Sequence, residues 1–479
     1  MSGTAGKQLG FVFYDTETTG TSTAFDQILQ FAAIRTDSDF EELERFEIRC
    51  RLMPHIVPAP GAMQVTKITA AQLDDALSPS HYEMVRRIRE KLLAWSPACF
   101  IGYNSLAFDE QLLRQALYQT LHDPYLTSRG GNARADLMRA VQVSALIAPG
   151  AITLPLNDKG LPHFKLDRLA PANGFNHANA HDAMDDTLAT CHLARLLALR
   201  APQLWAATIA GGTKAAALER MTRVPIFCAF ESYYAKPFGF ALTALGSARS
   251  NGANLYAYDL AVCPKELQGL SDSALSQRLS ETPRPLRIIR ANADPILMAF
   301  KNAHGLTSAA EIPAQELEGR AASISANASF RRRLISLYEA LLPARQPSAF
   351  VEEQIYDGFI SNPDQKILDA FHESPWERRA ELLEQLSDPR LRQLGKRLLF
   401  FERPDLLEDS GRAAQARKMA ERLLDPAEDV PWLTLPRALD ELNGLLATAN
   451  DEDASHLIEH RRWIERRLAE AKKMAKPSP

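Results

Sequence analysis

The chain has 479 residues, 46% hydrophobic and 24% charged, with a formal net charge of −4. That length allows roughly two to four globular domains, and the charge excludes a protein that coats nucleic acid through global positive charge, though not an enzyme whose basic residues gather in a groove. No run of about eighteen apolar residues marks a membrane span, the opening "MSGTAGKQLG" lacks an apolar signal region, and five scattered cysteines without a CxxC pair suggest neither zinc nor a disulfide framework.

In chain order, "FVFYD" reads as a buried strand, and "QILQFAAIRTD" and "FEIRCRLMP" continue it as a three-stranded antiparallel start. "ACFIGYN" is a further strand, followed by a helix in which Leu112, Leu113, Ala116 and Leu117 fall at helical spacing. "HDAMDDTLATCHLARLLALR" places Met184, Leu188 and Cys191 on one helical face. Residues 1–200 are therefore expected to form an α/β domain. Short runs in "RVPIFCAFESYY", "PFGFALTALGS", "ANLYAYDLAV" and "RPLRIIRAN" predict a small β-rich domain over 201–348, ending in a linker, "LLPARQPSAF". Residues 349–479 read as helical, with Leu391, Leu394 and Leu398 on one stripe and "KKMAKPSP" as a frayed tail.

Within "FVFYDTETTG", Asp15 and Glu17 leave the strand on the same face, where two carboxylates repel each other. Exposure at an edge, a basic partner or a divalent metal would offset that. Two further segments favour metal. "IGYNSLAFDE" sets Asp109 just after a strand, and "HDAMDD" sets His181 five residues before Asp186. A helix turns by about 100° per residue, so His181 and Asp186 share no face of one helix. Asp182 is expected as N-cap, with Asp185 third in the helix and His181 on the loop before it. Four acids and one histidine in this order suit two-metal phosphoryl transfer, with carboxylate oxygens selecting Mg²⁺ or Mn²⁺ and the histidine taking a proton from water.

"DTETTG", "NSLAFDE" and "HDAMDD" resemble the three motifs of the DEDD exonuclease superfamily, histidine subclass. The longer blocks "PGAMQVTKIT", "DPYLTSRGGNARADL", "GLPHFKLDRLAPANGFNHANAHDAMDD" and "EEQIYDGFISNPDQ" are similar to the bacterial exodeoxyribonuclease I family. That resemblance implies an RNase H-like exonuclease domain, an SH3-like β-barrel domain and an all-helical C-terminal domain, forming a channel for single-stranded DNA. It implies Asp15, Glu17 and Asp186 as direct ligands of two Mg²⁺ ions, Asp109 completing the cluster, and His181 as general base. Glu17 would also meet the 3′ end of the substrate. Lys165 stands where the family commonly has a phosphate-binding arginine, and Lys67 where a glycine is expected. Thr18 would offer a hydroxyl to the terminal nucleotide. The implied activity is 3′→5′ hydrolysis of single-stranded DNA to 5′-mononucleotides in repair and recombination, by a cytoplasmic, nucleoid-associated monomer. The implied partner is the acidic C-terminal tail of the single-stranded DNA-binding protein.

Other residues admit two readings. Phe108 either stacks on a terminal base or belongs to the core. Tyr233, Tyr234, Phe238, Phe240, Tyr256 and Tyr258 are barrel core or a base-stacking groove. "FRRRL" is a solvated helix face or the pocket for the partner tail, with Arg331 as its candidate. His177 and His192 are read as incidental. An oligoribonuclease or proofreading exonuclease of the same superfamily, or an inactive nucleic-acid-binding scaffold, remain as alternatives.

Overall fold

The computed structural model describes residues 9–177, 181–248, 251–343 and 346–475. Strands β1 (Phe11–Thr18), β2 (Ile28–Thr36), β3 (Glu42–Arg49), β4 (Cys99–Gly102) and β5 (Ala133–Asp136) form one sheet in the order β3-β2-β1-β4-β5. The first three are antiparallel, as the sequence suggests, and β4 and β5 add in parallel to β1. β1 is central and packed on both sides. Phe11 and Phe13 face Leu193 and Leu197 of the Ala183–Arg200 helix, while Val12 and Tyr14 face Ile88 of the His81–Trp95 helix and Leu112 of the Asp109–Gln119 helix. The alternation that buries these residues also sends Asp15 and Glu17 towards the Ala183–Arg200 helix, and Thr16 towards the Asp109–Gln119 helix.

A second antiparallel sheet contains β6 (Phe227–Tyr233), β7 (Lys236–Ser247), β8 (Asn254–Asp259), β9 (Leu286–Arg290) and β10 (Ile296–Ala299), in the order β10-β6-β7-β8-β9. Four consecutive strands meander and the fifth, β10, pairs with the first, β6. The aromatic set divides: Phe240, Tyr256 and Tyr258 are buried, whereas Tyr233, Tyr234 and Phe238 are exposed around the β6–β7 turn. The strap between β9 and β10 docks on the first sheet. Asp294 Oδ2 accepts from the Asp136 backbone N–H at 3.0 Å, and Arg134 and Arg139 donate to the carbonyls of Asn292 and Ala293.

The helices from Asn362 to Met474 wrap back over the first sheet's outer elements. Leu391, Leu394 and Leu398 are buried with Tyr82, Tyr118 and Leu121, and Leu435, Leu442 and Trp463 with Met63, Ile68 and Leu73. The last helix holds through Met474, and the final residues of the expected frayed tail lie outside the described residues, as does most of the N-terminal decapeptide. Among the described residues, no helix is long and apolar enough to cross a membrane.

Lys67, where glycine is expected, ends the Pro60–Thr66 helix with φ +56°, the left-handed region that glycine enters without steric cost. Its Nζ reaches Asp453 Oδ1 at 2.5 Å, so the lysine ties this cap to the last helix.

Glu352 ties the Val351–Tyr356 turn to two C-terminal helices, Pro389–Glu402 and Asp409–Leu424. Its side chain is 4% exposed and its Oε1 accepts from Arg397 at 2.6 Å and Arg422 at 2.8 Å. Burial opposes its charge, but the two guanidinium groups outweigh burial and hold its carboxyl below the ordinary glutamate range. Glu352→Ala leaves two half-sequestered cations without a counter-charge and is expected to destabilise by about 3–5 kcal/mol in denaturant unfolding. Because the carboxyl is depressed in the fold, this contribution is complete above the ordinary glutamate value near 4.5 and is lost as pH falls through the lowered one. Lys67→Gly, by contrast, is expected to leave the unfolding midpoint unchanged or raised, because relief of the left-handed backbone, about 1–2 kcal/mol, acts against loss of one exposed ion pair.

Candidate metal and catalytic site

Asp15 and Glu17 occupy the C-terminal half of β1, beyond the point where the flanking helices supply apolar cover. Asp186 comes from the first turns of the Ala183–Arg200 helix. Asp182 caps that helix, accepting from the N–H groups of Met184 and Asp185, and Asp185 is the third helical residue, as its spacing suggests. Asp182 is held in turn by Gln30 at 3.1 Å and Arg49 at 2.7 Å. One carboxylate oxygen each from Asp15, Glu17 and Asp186 lies within 4.8 Å of the others. This is the spacing at which three hard oxygen ligands can share a divalent cation.

Asp109 begins the Asp109–Gln119 helix, 4% exposed, and its Oδ1 accepts from the Thr16 hydroxyl at 2.5 Å. It approaches the cluster from the opposite face of β1 and stands outside the Asp15–Glu17–Asp186 trio. The loop leading to it is shaped by Asp136, whose carboxylate accepts from the backbone N–H groups of Asn104, Leu106 and Met138. Gly102 opens this loop because a Cβ there would fall 2.4 Å from Ser105 Cβ. Sequence reasoning missed Asp136. The available signal was an acid at a strand end directly before an apolar helix, the position of an N-cap.

The electrostatics of the cluster point one way. Burial, then Asp109, Asp186 and Glu17, push the Asp15 carboxyl well above its ordinary range. Burial, then Asp186 and Asp109, push Glu17 up to about 9, and Arg49 opposes this only in part. Burial pushes Asp109 up to about 7, against the Thr16 hydrogen bond. The other side of β1 solves the same problem differently. Glu110, fully buried, accepts from Arg114 and Arg134 at 2.9 Å each and from the Thr127 hydroxyl at 2.7 Å. Asp15, Glu17 and Asp186 have no arginine or lysine ion-pair partner among the described residues, and His177 alone bonds Asp186, so the donor set fits a divalent cation.

His181, with φ +69°, lines the same cleft as Asp186. That cleft, about 600 Å³, also includes Lys165, His163, His177 and Ala235 of the β6–β7 turn. Lys165 is exposed at the start of the Leu166–Ala172 helix. A neighbouring cleft of about 580 Å³ shares Met138, Gln142 and Ala235 with the first and extends past Tyr233, Tyr234, Arg139 and Arg290. Thr18 is buried, its hydroxyl donating to the Gly20 carbonyl at 2.8 Å. Phe108 is half-buried against the core that contains Tyr14 and Leu112. Arg331 is remote from this cleft, and its Nη1 donates to the Ile324 and Ser325 carbonyls at the end of the Ala314–Ala326 helix, while Arg333 pairs with Asp272. His177, read from sequence as incidental, is at the cluster: its Nε2 lies 2.5 Å from Asp186 Oδ1. His192 bonds the Asn173 carbonyl at 2.9 Å.

In the metal-free fold, carboxyls raised to about 7 and about 9 favour folding fully below their unfolded values and cease to do so as pH rises through the folded ones. The melting temperature in EDTA is therefore expected to decline across that interval, and added divalent cation to offset the decline. Calorimetric scans with and without cation check this; a flat profile unmoved by cation would contradict a metal site here.

Two family models match the chain: "Exonuclease" over residues 12–194 and "Exonuclease I C-terminal domain" over 350–466. The chain is 30% identical over 383 residues to exodeoxyribonuclease I of Escherichia coli (strain K12), an alignment covering 75% of this chain and 78% of that one. Its fold matches the crystal structure of E. coli exonuclease I in complex with a dA16 oligonucleotide with a TM-score of 0.81 and 26% identity, over 96% of this chain and 100% of that one. A zinc-bound form of the E. coli enzyme with single-stranded DNA matches with a TM-score of 0.80 and 25% identity, over 96% and 100% of the two chains.

Proposed function

The chain belongs to the exodeoxyribonuclease I family and is a DNA exonuclease that acts on single-stranded DNA from the 3′ end; we propose that it releases 5′-mononucleotides by two-metal hydrolysis at the Asp15–Glu17–Asp186 cluster. The observation that supports this most directly is the convergence of three carboxylates within 4.8 Å, with no arginine or lysine partner among the described residues, beside a cleft that Asp186 itself lines.

Asp15, Glu17 and Asp186 would hold the metal, with Asp109 completing a second position. Mg²⁺, for which Mn²⁺ can substitute, supplies activation of the attacking water and stabilisation of the leaving 3′-oxygen. His181, on a loop at the cleft wall, takes the proton of that water. Lys165 attracts the scissile phosphate as a point charge, without the bidentate fork of the family's usual arginine. Glu17 and the lone pairs of Thr18 meet the 3′-terminal sugar, and Phe108 borders the terminal base. The joined clefts, with exposed Tyr233 and Tyr234 beside Arg139 and Arg290, suit an unpaired strand through stacking and backbone charge. We divide the chain functionally near residues 200 and 348.

The same reading makes the protein a cytoplasmic, nucleoid-associated monomer in DNA repair and recombination. Its partner is the acidic tail of the single-stranded DNA-binding protein, which would meet the basic helix face at Arg331, where the neighbouring Arg332 is exposed.

A 5′-labelled single strand incubated with Mg²⁺ is expected to shorten from its 3′ end, and RNA and duplex controls to persist. EDTA and Asp15→Ala should abolish the ladder, and His181→Ala should slow it by about 10²–10⁴-fold. Equal loss of RNA would point to an oligoribonuclease, and binding without shortening to a scaffold. Lys165→Arg is expected to lower KM for DNA more than it changes kcat.

A further inference from the structure

The four carboxylates of the cluster are not held alike. Asp15 and Glu17 stand on a central strand, packed between two layers. Asp109 and Asp186 stand on the first turns of helices. Each of these two is tied by one neighbour: Asp109 by the Thr16 hydroxyl and Asp186 by His177, both at 2.5 Å.

His177 is built for such a tie. Its side chain is 1% exposed, its ring meets Phe175 at 5.9 Å and 65°, and Phe175 in turn packs on His192. A carboxylate only accepts, so Nε2 carries a hydrogen towards Asp186 and is not the nitrogen that removes a proton from water. The remaining nitrogen, Nδ1, is buried without a partner among the described residues. A second catalytic base is therefore a poor description of this ring.

We propose that His177 is a positioning residue that fixes the Asp186 carboxylate in the orientation required to receive a divalent cation. Through the bond to Oδ1 it restrains rotation about Cβ–Cγ, and so fixes how Asp186 presents an oxygen to those of Asp15 and Glu17. Orientation of a ligand by a hydrogen-bonded neighbour is a general feature of metal sites, and removal of such a neighbour typically weakens metal affinity about 10–100-fold. This inference rests on the reading of Asp186 as a ligand.

The test is Mn²⁺ binding to the full chain without DNA, followed by calorimetry and by electron paramagnetic resonance. Wild type, His177→Ala, His177→Gln and Asp186→Asn would be compared, with thermal melts reporting that each is folded. His177→Ala is expected to bind Mn²⁺ about 10–100-fold more weakly, and His177→Gln, which retains an amide donor, to recover part of the loss. In turnover, the alanine variant should need more metal yet approach the wild-type kcat at saturation. Wild-type affinity in His177→Ala alongside a loss in Asp186→Asn would overturn the positioning role and leave the metal site standing. Equal losses in the alanine and glutamine variants would also overturn it, because the hydrogen bond would then not matter. Undiminished binding in Asp186→Asn would instead remove the ligand assignment on which the inference rests.

Discussion

Mutual repulsion among Asp15, Glu17, Asp109 and Asp186 is the condition around which the molecule is arranged. Burial and neighbouring charge both raise the cost of ionising them, and no arginine or lysine joins Asp15, Glu17 and Asp186 among the described residues. The same strand shows the contrasting solution one residue out of phase. On the Tyr14–Thr16 side, Glu110 is neutralised by Arg114 and Arg134, giving a fixed buried network that needs nothing from solution. On the Asp15–Glu17 side the compensating charge must arrive from outside. A protein that carries both solutions across one strand separates a structural charge cluster from a functional one, and the family's metal-dependent chemistry follows from the second.

The elements around the cluster supply geometry more than charge. Parallel pairing of β4 with β1 brings the loop after Gly102 beside the end of β1, where Asp109 starts its helix. Asp182 gives the Ala183–Arg200 helix a definite first turn, which determines where Asp186 falls. Arg49 anchors that cap and also tempers Glu17, so one cation serves a structural and an electrostatic purpose.

Much of this was legible before any coordinates. Strand alternation placed Asp15 and Glu17 together, helix periodicity placed Leu391, Leu394 and Leu398 in a core, and capping chemistry assigned Asp182 and Asp185. What escaped is non-local. β5, "ARAD", and β10, "ILMA", have four residues each, too short for a periodic signal, and exist because neighbouring strands pair with them. The split of the barrel aromatics follows position along β6–β8, with the turn exposed and the strand centres covered, which composition alone does not encode. Arg331 was a plausible free cation in sequence, yet a helix end seven residues back supplies carbonyls that engage it. His177 was passed over because its partner is set by the fold of a loop, not by spacing on one element.

The Asp294 strap has a further consequence. A side chain from the barrel holds the backbone of Asp136, whose carboxylate holds the backbone of Asn104 and Leu106, and that loop delivers Asp109. Two successive hydrogen-bonded steps thus run from the second sheet to the loop that leads to Asp109. The strap of the second sheet is therefore part of the scaffolding of the carboxylate cluster, and the two sheets are not structurally independent of each other. A substitution at Asp294 would be felt at the loop that delivers Asp109, and a graft of the first sheet's elements onto another module would have to carry the strap with it.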